Sequence, residues 1–344
     1  MQALRKTHPR AGLELVDVPE PRLDPDSDDV MVAVTAAGIC GSDLHVDTWT
    51  PSYAFIAPSL PVTIGHEFVG VAQTGPLAGR RVVVRPSVTC GACPACTAGQ
   101  HDLCERRRGI GMTRDGAFAA KVRAPLRNCV PVPDGLPDEL AALTEPLTIS
   151  MQALRIAGDL HGKRVLVMGP GTIGQGIALL ARRAGAAQVV VSGFDDAARF
   201  EALRRMGFEH LVDVSRQSLA EQARGLTAGA DFDVVFEATG VPETINDALG
   251  LLRRNGIVVV TGIHARPLAL DLTPLVRNQH QLRGSFRPPE SDWPLALALM
   301  QELGPVLAPM VSHVLPLSRA LEGFALAHDK QGCKVLLRPE HDHA

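Results

Sequence analysis

Arg164-Val165-Leu166-Val167-Met168-Gly169-Pro170-Gly171-Thr172-Ile173-Gly174 is the stretch on which the reading of this 344-residue sequence turns. Its first five residues read as a buried strand, apolar from Val165 to Met168, and a helical pattern follows Gly174 to Ala184. A G-x-G-x-x-G between a strand and a helix is the arrangement that cradles a dinucleotide pyrophosphate. Gly169 permits the tight turn, Gly171 lets the pyrophosphate approach the backbone, and Gly174 allows close helix–strand packing. Thr172 and Ile173 open the helix, where free N–H groups and a partial positive charge meet phosphate.

Outward from this stretch, residues 189–191, 234–236 and 258–261 are further strand runs, with helical patterns between them. Strands separated by helices at this spacing predict a doubly wound parallel sheet of βαβ units. Before Pro133 the texture differs: Val, Gly and Pro dominate, and Val30-Met31-Val32-Ala33-Val34 and Arg81-Val82-Val83-Val84-Arg85 lie between turn signals. That pattern predicts a module of short β-strands. Toward the C-terminus, residues 294–303 read as a helix and residues 334–337 as a last strand.

The dinucleotide motif invites one more check, the acid that binds the adenosine ribose about 20 residues on. Gly193 stands 19 positions beyond Gly174, so the carboxylate is missing there. Glycine removes the repulsion that excludes a 2′-phosphate and so favours NADP. Asp195 and Asp196 follow at once, however, and the nearest cation is Arg199, a helical turn further. NAD and NADP both remain open at this level.

The composition, 46% hydrophobic and 21% charged with a net charge of -3, is that of a globular protein with room for two cores. No clustered basic excess marks a nucleic-acid surface; the one dense run, Glu105-Arg106-Arg107-Arg108, reads as a solvated loop face. The N-terminal residues lack an apolar signal region, and no apolar stretch has membrane-spanning length. The predicted compartment is the cytoplasm, where thiols stay reduced and clustered cysteines read as metal ligands.

Such a cluster is present. Cys90, Cys93, Cys96 and Cys104 are spaced C-x2-C-x2-C-x7-C with Gly and Pro between them. Four thiolates suit a closed, tetrahedral structural zinc. An iron–sulfur cluster also takes four cysteines, but the familiar bacterial run has a shorter last gap. Cys129 and Cys333 stand alone and read as packing residues. A second set is dispersed: Gly38-Ile39-Cys40-Gly41-Ser42-Asp43-Leu44-His45, Gly65-His66-Glu67 and Thr144-Glu145-Pro146.

In this order, and over nearly the whole chain, these motifs resemble the zinc-containing medium-chain alcohol dehydrogenases, in particular the polyol branch typified by sorbitol and threonine dehydrogenases. The resemblance implies a GroES-like, β-rich catalytic domain over residues 1–147 and 287–344, with a zinc lobe near 88–108. A Rossmann cofactor domain over 148–286 would interrupt it. Cys40 and His66 would be constant ligands of a catalytic zinc. Glu145 stands where the branch acting on simple alcohols has a cysteine, and Glu67 is a further ligand candidate. Asp43 would orient the zinc-bound imidazole. Ser42 would lie beside the bound oxygen and His45 on a proton path, although His45 also reads as a surface residue. Lys334 would meet the cofactor pyrophosphate, or else be a surface lysine.

The same resemblance implies two zinc ions per chain, NAD or NADP, a homodimer or homotetramer, and oxidation of a secondary alcohol on a polyol, sugar-derived or amino-alcohol substrate. Ser42, Trp49, Tyr53, Phe118 and Ser285-Phe286-Arg287 would line the pocket, with Arg114 and Arg287 available to an acidic substrate group. Residues 115–121 depart from the family's usual pattern, so the substrate itself is open. Two alternatives stand beside this reading. One is a zinc-independent quinone or enoyl reductase of the same fold, against which Cys40, His66 and Glu145 count. The other is a non-catalytic nucleotide-binding protein.

Overall fold

The computed structural model describes residues 1–340. The chain divides into two compact units, one of Met1–Glu145 with the segment from Pro289 onward, the other of Pro146–Pro288. The junctions expected from sequence, after residue 147 and before 287, lie two residues from these. The first junction falls inside the helix Thr144–Ala157.

The first unit is built on a seven-stranded sheet. Cys129–Pro131, Arg81–Val84, Glu67–Ala72, Asp29–Gly38, Lys334–Arg338 and Val311–Pro316 follow one another across it, and Lys121–Pro125 also pairs with Asp29–Gly38. The apolar alternation of Asp29–Gly38 explains its central place: Val30, Val32 and Val34 are buried and pack with Val82, Val84, Phe68 and Leu337. A strand at the centre of a sheet must bury side chains on the core face, and a Val-rich period of two supplies them. The C-terminal strand Lys334–Arg338 lies next to Asp29–Gly38, which ties the end of the chain to the first unit. A small ladder, Ser87–Val88 with Arg108–Gly109, carries the four-cysteine lobe.

The second unit holds a six-stranded sheet in the order Leu211–Asp213, Gln188–Gly193, Arg164–Met168, Phe232–Glu237, Leu252–Val260, Gln281–Gly284. Every neighbouring pair is parallel. Its central strands, Gln188–Gly193, Arg164–Met168 and Phe232–Glu237, carry buried apolar runs because helices cover a parallel sheet on both faces. Thr172–Arg183 follows the first strand and is buried all round from Gly174 to Ala181, with Ile177, Leu179 and Leu180 among the covered side chains. Among the described residues no helix is long and apolar enough to cross a membrane.

Candidate active site and metal sites

Three neighbouring strands bring the dispersed residues together. Gly38 stands opposite Glu67 in one antiparallel pair and opposite Leu336 in the next. Cys40 leaves the first strand as the N-cap of the helix Gly41–Thr48, and His66 directly precedes the strand Glu67–Ala72. A sulfur of Cys40, a ring nitrogen of His66 and a carboxylate oxygen of Glu67 therefore lie within 4.8 Å of one another. Gly38 is needed for this approach, since a Cβ there would stand 2.6 Å from Glu67 Oε2. The donors fit a zinc ion, whose ligands at 2.0–2.3 Å are about 3.5 Å apart in a tetrahedron. Glu67 Oε1 is buried without a hydrogen-bond partner, as an atom reserved for such an ion would be.

Asp43 links the two sides of this cluster. Its Oδ2 accepts the Cys40 backbone N–H at 2.9 Å, and its Oδ1 faces His66 Nδ1 at 3.5 Å. The imidazole is thereby turned so that Nε2 faces Ser42 Oγ at 3.3 Å. Burial by itself would lower the His66 pKa, but the charge and hydrogen bonding of Asp43 lift it well above its ordinary value. Burial pushes the Cys40 thiol up, and the Glu67 charge adds to this. A site that raises a thiol and gathers carboxylates is short of positive charge, which a metal ion supplies.

Glu145 is half-buried and falls outside the three-donor group. Its carboxyl is nevertheless raised to about 7, by burial and then by the Glu67 charge. The two acids expected as ligands thus occupy different places: Glu67 sits with Cys40 and His66, and Glu145 lies within electrostatic reach. Lys334, expected at the pyrophosphate or else at the surface, is not a surface residue: it is 2% exposed, forms an ion pair with Glu67, and donates to the Ile39 carbonyl at 2.8 Å. A buried carboxylate needs a counter-charge, and the adjoining strand provides it. Sequence offered no sign of this, because the partners are 267 positions apart.

His45 stacks on Tyr53 with ring centroids 5.5 Å apart, and its Nδ1 meets Thr50 Oγ1 at 3.3 Å. Burial lowers its pKa, which keeps the ring a proton acceptor. Tyr53 is buried, and burial followed by the Cys40 charge pushes its phenol up to about 12, with the Ser42 hydroxyl acting in the opposite sense. Of the other expected pocket walls, Phe118 is a correction: it has no exposed surface and meets Phe324 edge-on at 6.1 Å in the core. Trp49 packs partly against that core, with Lys6 Nζ 5.3 Å from its ring. Arg114 is spent on Asp29 at 2.5 Å, so it is not a spare cation for substrate. Ser285 is buried, while Phe286 is exposed with the Arg287 guanidinium 4.5 Å over its ring.

The sulfurs of Cys90, Cys93, Cys96 and Cys104 also lie within 4.8 Å of one another. Those of Cys90 and Cys96 are 3.9 Å apart, far too long for a disulfide and close to the edge of about 3.8 Å in a zinc–thiolate tetrahedron. The backbone N–H groups of Cys93 and Cys90 point at Cys90 Sγ and Cys104 Sγ, each at 3.3 Å. Backbone donors, that of Ala92 first, bring the Cys90 thiol down to about 6, whereas burial raises Cys96 to about 11. From the basic run, Arg107 reaches back to the His101 carbonyl and Ser87 Oγ and so braces the lobe.

In the second unit the helix Thr172–Arg183 starts from Gly171 in extended backbone, and Gln175 N–H is bonded to the Gly171 carbonyl at 2.9 Å. The N–H groups of Thr172, Ile173 and Gly174 are those a helix start leaves unsatisfied. Gly193 ends its strand against the phosphate turn: a Cβ there would come 2.6 Å from Pro170 and 2.8 Å from Asp196 Oδ2. No acid fits at that position, which explains its absence. Asp196 is buried, accepts the Phe194 N–H at 3.0 Å and holds Arg199 at 2.8 Å. Asp213, opposite Gly193 in register, accepts the Asp195 N–H at 3.1 Å. Sequence reading also passed over Glu237, a buried acid whose only signal is a carboxylate closing an apolar strand.

The family model described as alcohol dehydrogenase GroES-like domain matches residues 26–134, and that described as zinc-binding dehydrogenase matches residues 172–302. An L-threonine 3-dehydrogenase of Sinorhizobium fredii is 33% identical, over 98% of this chain and 98% of its own. Among solved structures, a protein of Sinorhizobium meliloti 1021 described as a zinc-binding dehydrogenase and bound to NADP is 30% identical with a TM-score of 0.84, covering 98% of this chain and 99% of its own. The L-idonate 5-dehydrogenase of Escherichia coli is 27% identical with a TM-score of 0.84, covering 98% and 97%. With its paired metal-ligand clusters and its dinucleotide turn, the chain belongs to the zinc-containing medium-chain alcohol dehydrogenases and is an NAD(P)-dependent oxidoreductase.

Proposed function

We propose that this enzyme oxidises a secondary alcohol of a polyol, sugar acid or amino alcohol to its ketone, with Cys40, His66 and Glu67 as protein ligands of a catalytic zinc. The observation that carries this reading is the unpartnered, buried Oε1 of Glu67 beside the Cys40 thiol and the His66 imidazole. It favours a metal enzyme over a zinc-independent reductase of the same fold or a non-catalytic nucleotide binder. Glu145 stands ready as an alternate carboxylate ligand. Zinc held there supplies Lewis acidity to a substrate oxygen. Cys90, Cys93, Cys96 and Cys104 would hold the second, structural ion.

The remaining steps belong to the protein's own groups. Asp43 holds the His66 ring in place. Ser42, beside His66 Nε2, accepts the hydroxyl proton of the substrate, and His45, kept neutral by burial, takes it toward solvent. The bound nicotinamide would supply the hydride acceptor, taking the hydrogen that leaves the substrate carbon with its C–H electron pair. The first-turn N–H groups at Thr172, Ile173 and Gly174 bind the pyrophosphate. At the ribose end, Asp195, Asp196 and Asp213 surround Gly193, and Arg199 is engaged by Asp196. A 2′-phosphate would meet these carboxylates, with Arg199 and Arg216 already paired to Asp196 and Asp213, which favours NAD over NADP in this chain.

The substrate range carries over from relatives that act on L-threonine and L-idonate. Free cysteines 3.9 Å apart suit the reducing cytoplasm. The edge strand Gln281–Gly284, which carries exposed Leu282 and follows a helix with exposed Leu272 and Val276, suits a homodimer or a homotetramer built from it. A panel of polyols, sugar acids, aminocyclitols and amino alcohols, each followed by reduction of NAD and of NADP, tests both the substrate class and the cofactor. Turnover of simple primary alcohols alone, or a preference for NADP, would overturn the corresponding part.

A further inference from the structure

Glu237 ends the strand Phe232–Glu237 with no exposed surface. It stands at the point where the parallel sheet reverses its order, since Arg164–Met168 and Phe232–Glu237 are neighbours whose successors run to opposite edges. Ligands of open α/β sheets bind outside the carboxyl ends of the strands at this point. Met168, opposite Glu237 in register, leads directly into the phosphate turn at Gly169.

A fully buried carboxylate is costly unless donors surround it. Glu237 Oε1 accepts the N–H groups of Thr239 and Gly240 at 2.6 and 2.9 Å, and the hydroxyls of Thr239 and Thr244 at 2.5 and 3.3 Å. Oε2 lies 3.1 Å from the Nε2 of His264. The backbone carbonyl of Glu237 accepts Thr261 N–H at 2.8 Å and Gly262 N–H at 3.2 Å. One residue thus fixes the loops that follow two adjacent strands, residues 238–244 and 261–264. The only other ion pair that ties these loops among the described residues, Arg266 with Glu243, is exposed and contributes little rigidity.

The dinucleotide lies across two mononucleotide-binding halves of such a sheet. The half that ends at Gly193 takes the adenosine, so the loops held by Glu237 belong to the nicotinamide half. We propose that Glu237 and His264 are a positioning pair that presents the main-chain groups of residues 238–240 and 261–264 to the nicotinamide end of the cofactor and sets the affinity for that end alone. This rests on the reading of the chain as an NAD(P) enzyme.

Binding of NADH and of ADP-ribose, which lacks the nicotinamide, to the intact enzyme separates the two. In Glu237→Gln the Kd for NADH should rise about tenfold, the size of a lost charge-assisted hydrogen bond, while that for ADP-ribose stays unchanged. His264→Gln should show the same selectivity with a smaller rise, and the double variant should bind NADH no more weakly than Glu237→Gln alone. Unchanged NADH affinity in His264→Gln, or parallel weakening of NADH and ADP-ribose in either variant, would overturn the pairing; His264→Gln carries the test alone if Glu237→Gln does not fold. Failure of the unaltered protein to bind ADP-ribose would sink the cofactor reading beneath it.

Discussion

Lys334 and Glu67 form an ion pair whose side chains are 3% and 1% exposed, at the heart of the donor cluster. Burial would lower the lysine's pKa, but Glu67 and Cys40 reverse this and hold the ammonium charged. Removing one partner of a buried pair leaves the other charge uncompensated, at a cost of about 3–5 kcal/mol. Lys334→Met should therefore lose stability of this order in urea unfolding. Glu67→Gln combined with Lys334→Met should recover much of it, since no lone charge remains. A Lys334→Met protein as stable as the original would show that the pair is not desolvated as found.

Elemental analysis of the purified enzyme should give two zinc ions per chain, and Cys40→Ser should give one. Turnover should vanish in that variant while the far-ultraviolet circular dichroism stays unchanged, because Cys40 lies at a helix N-cap and outside the packed apolar core. Substantial activity in Cys40→Ser would place the catalytic centre elsewhere.

What sequence made legible was whatever repeats locally. The apolar run before Gly169, the cysteine spacing and the Gly65-His66-Glu67 triplet are each contained within a few residues, and they fall in a strand and in two clusters of donor atoms. Pairing across the chain was not legible: Lys334 finds Glu67, and Arg114 finds Asp29, only because the sheet brings distant strands together. Phe118 is placed at a pocket wall by the family resemblance alone, with no motif of its own, whereas packing against Phe324 takes it into the core. The strands Leu211–Asp213 and Gln281–Gly284 escaped for another reason. The first is three residues long and the second has one apolar residue, so neither carries a periodic signal.

Cys104→Ser should act on folding instead of chemistry. The lobe's cysteines pack mainly on one another and on Ala95, with no large apolar residue among them. Metal coordination therefore replaces a hydrophobic core there, and structural zinc binding is folding free energy. The variant should melt lower and lose one zinc, with the other retained. Melting unchanged from the original would refute the four-cysteine assignment.

Asp233 gives the second unit a definable acid sensitivity. Burial would raise its pKa, but the Arg164 N–H at 2.8 Å and the Arg253 guanidinium at 2.5 Å outweigh this and lower it. A carboxylate depressed on folding stabilises fully above its unfolded value of about 3.9, and that contribution is lost as pH falls through the lower folded value. Asp233→Asn should be less stable than the original protein at pH 7, and the gap in urea unfolding should shrink at pH 3. A gap independent of pH would mean that the charge contributes nothing.

The edge strand Gln281–Gly284 closes one side of the parallel sheet, and near it Leu272, Val276 and Phe286 are 59%, 68% and 64% exposed. An uncovered edge with apolar flanks is a template for pairing with a second chain, and natural proteins leave one open chiefly where a partner covers it. Light scattering at micromolar concentration should find a dimer or a tetramer. Val276→Asp puts a charge into the apolar flank without touching a core residue, so it should shift the protein toward smaller species while both zinc ions remain. A monomeric original protein would refute the assembly, and an unshifted Val276→Asp would move the contact to another face.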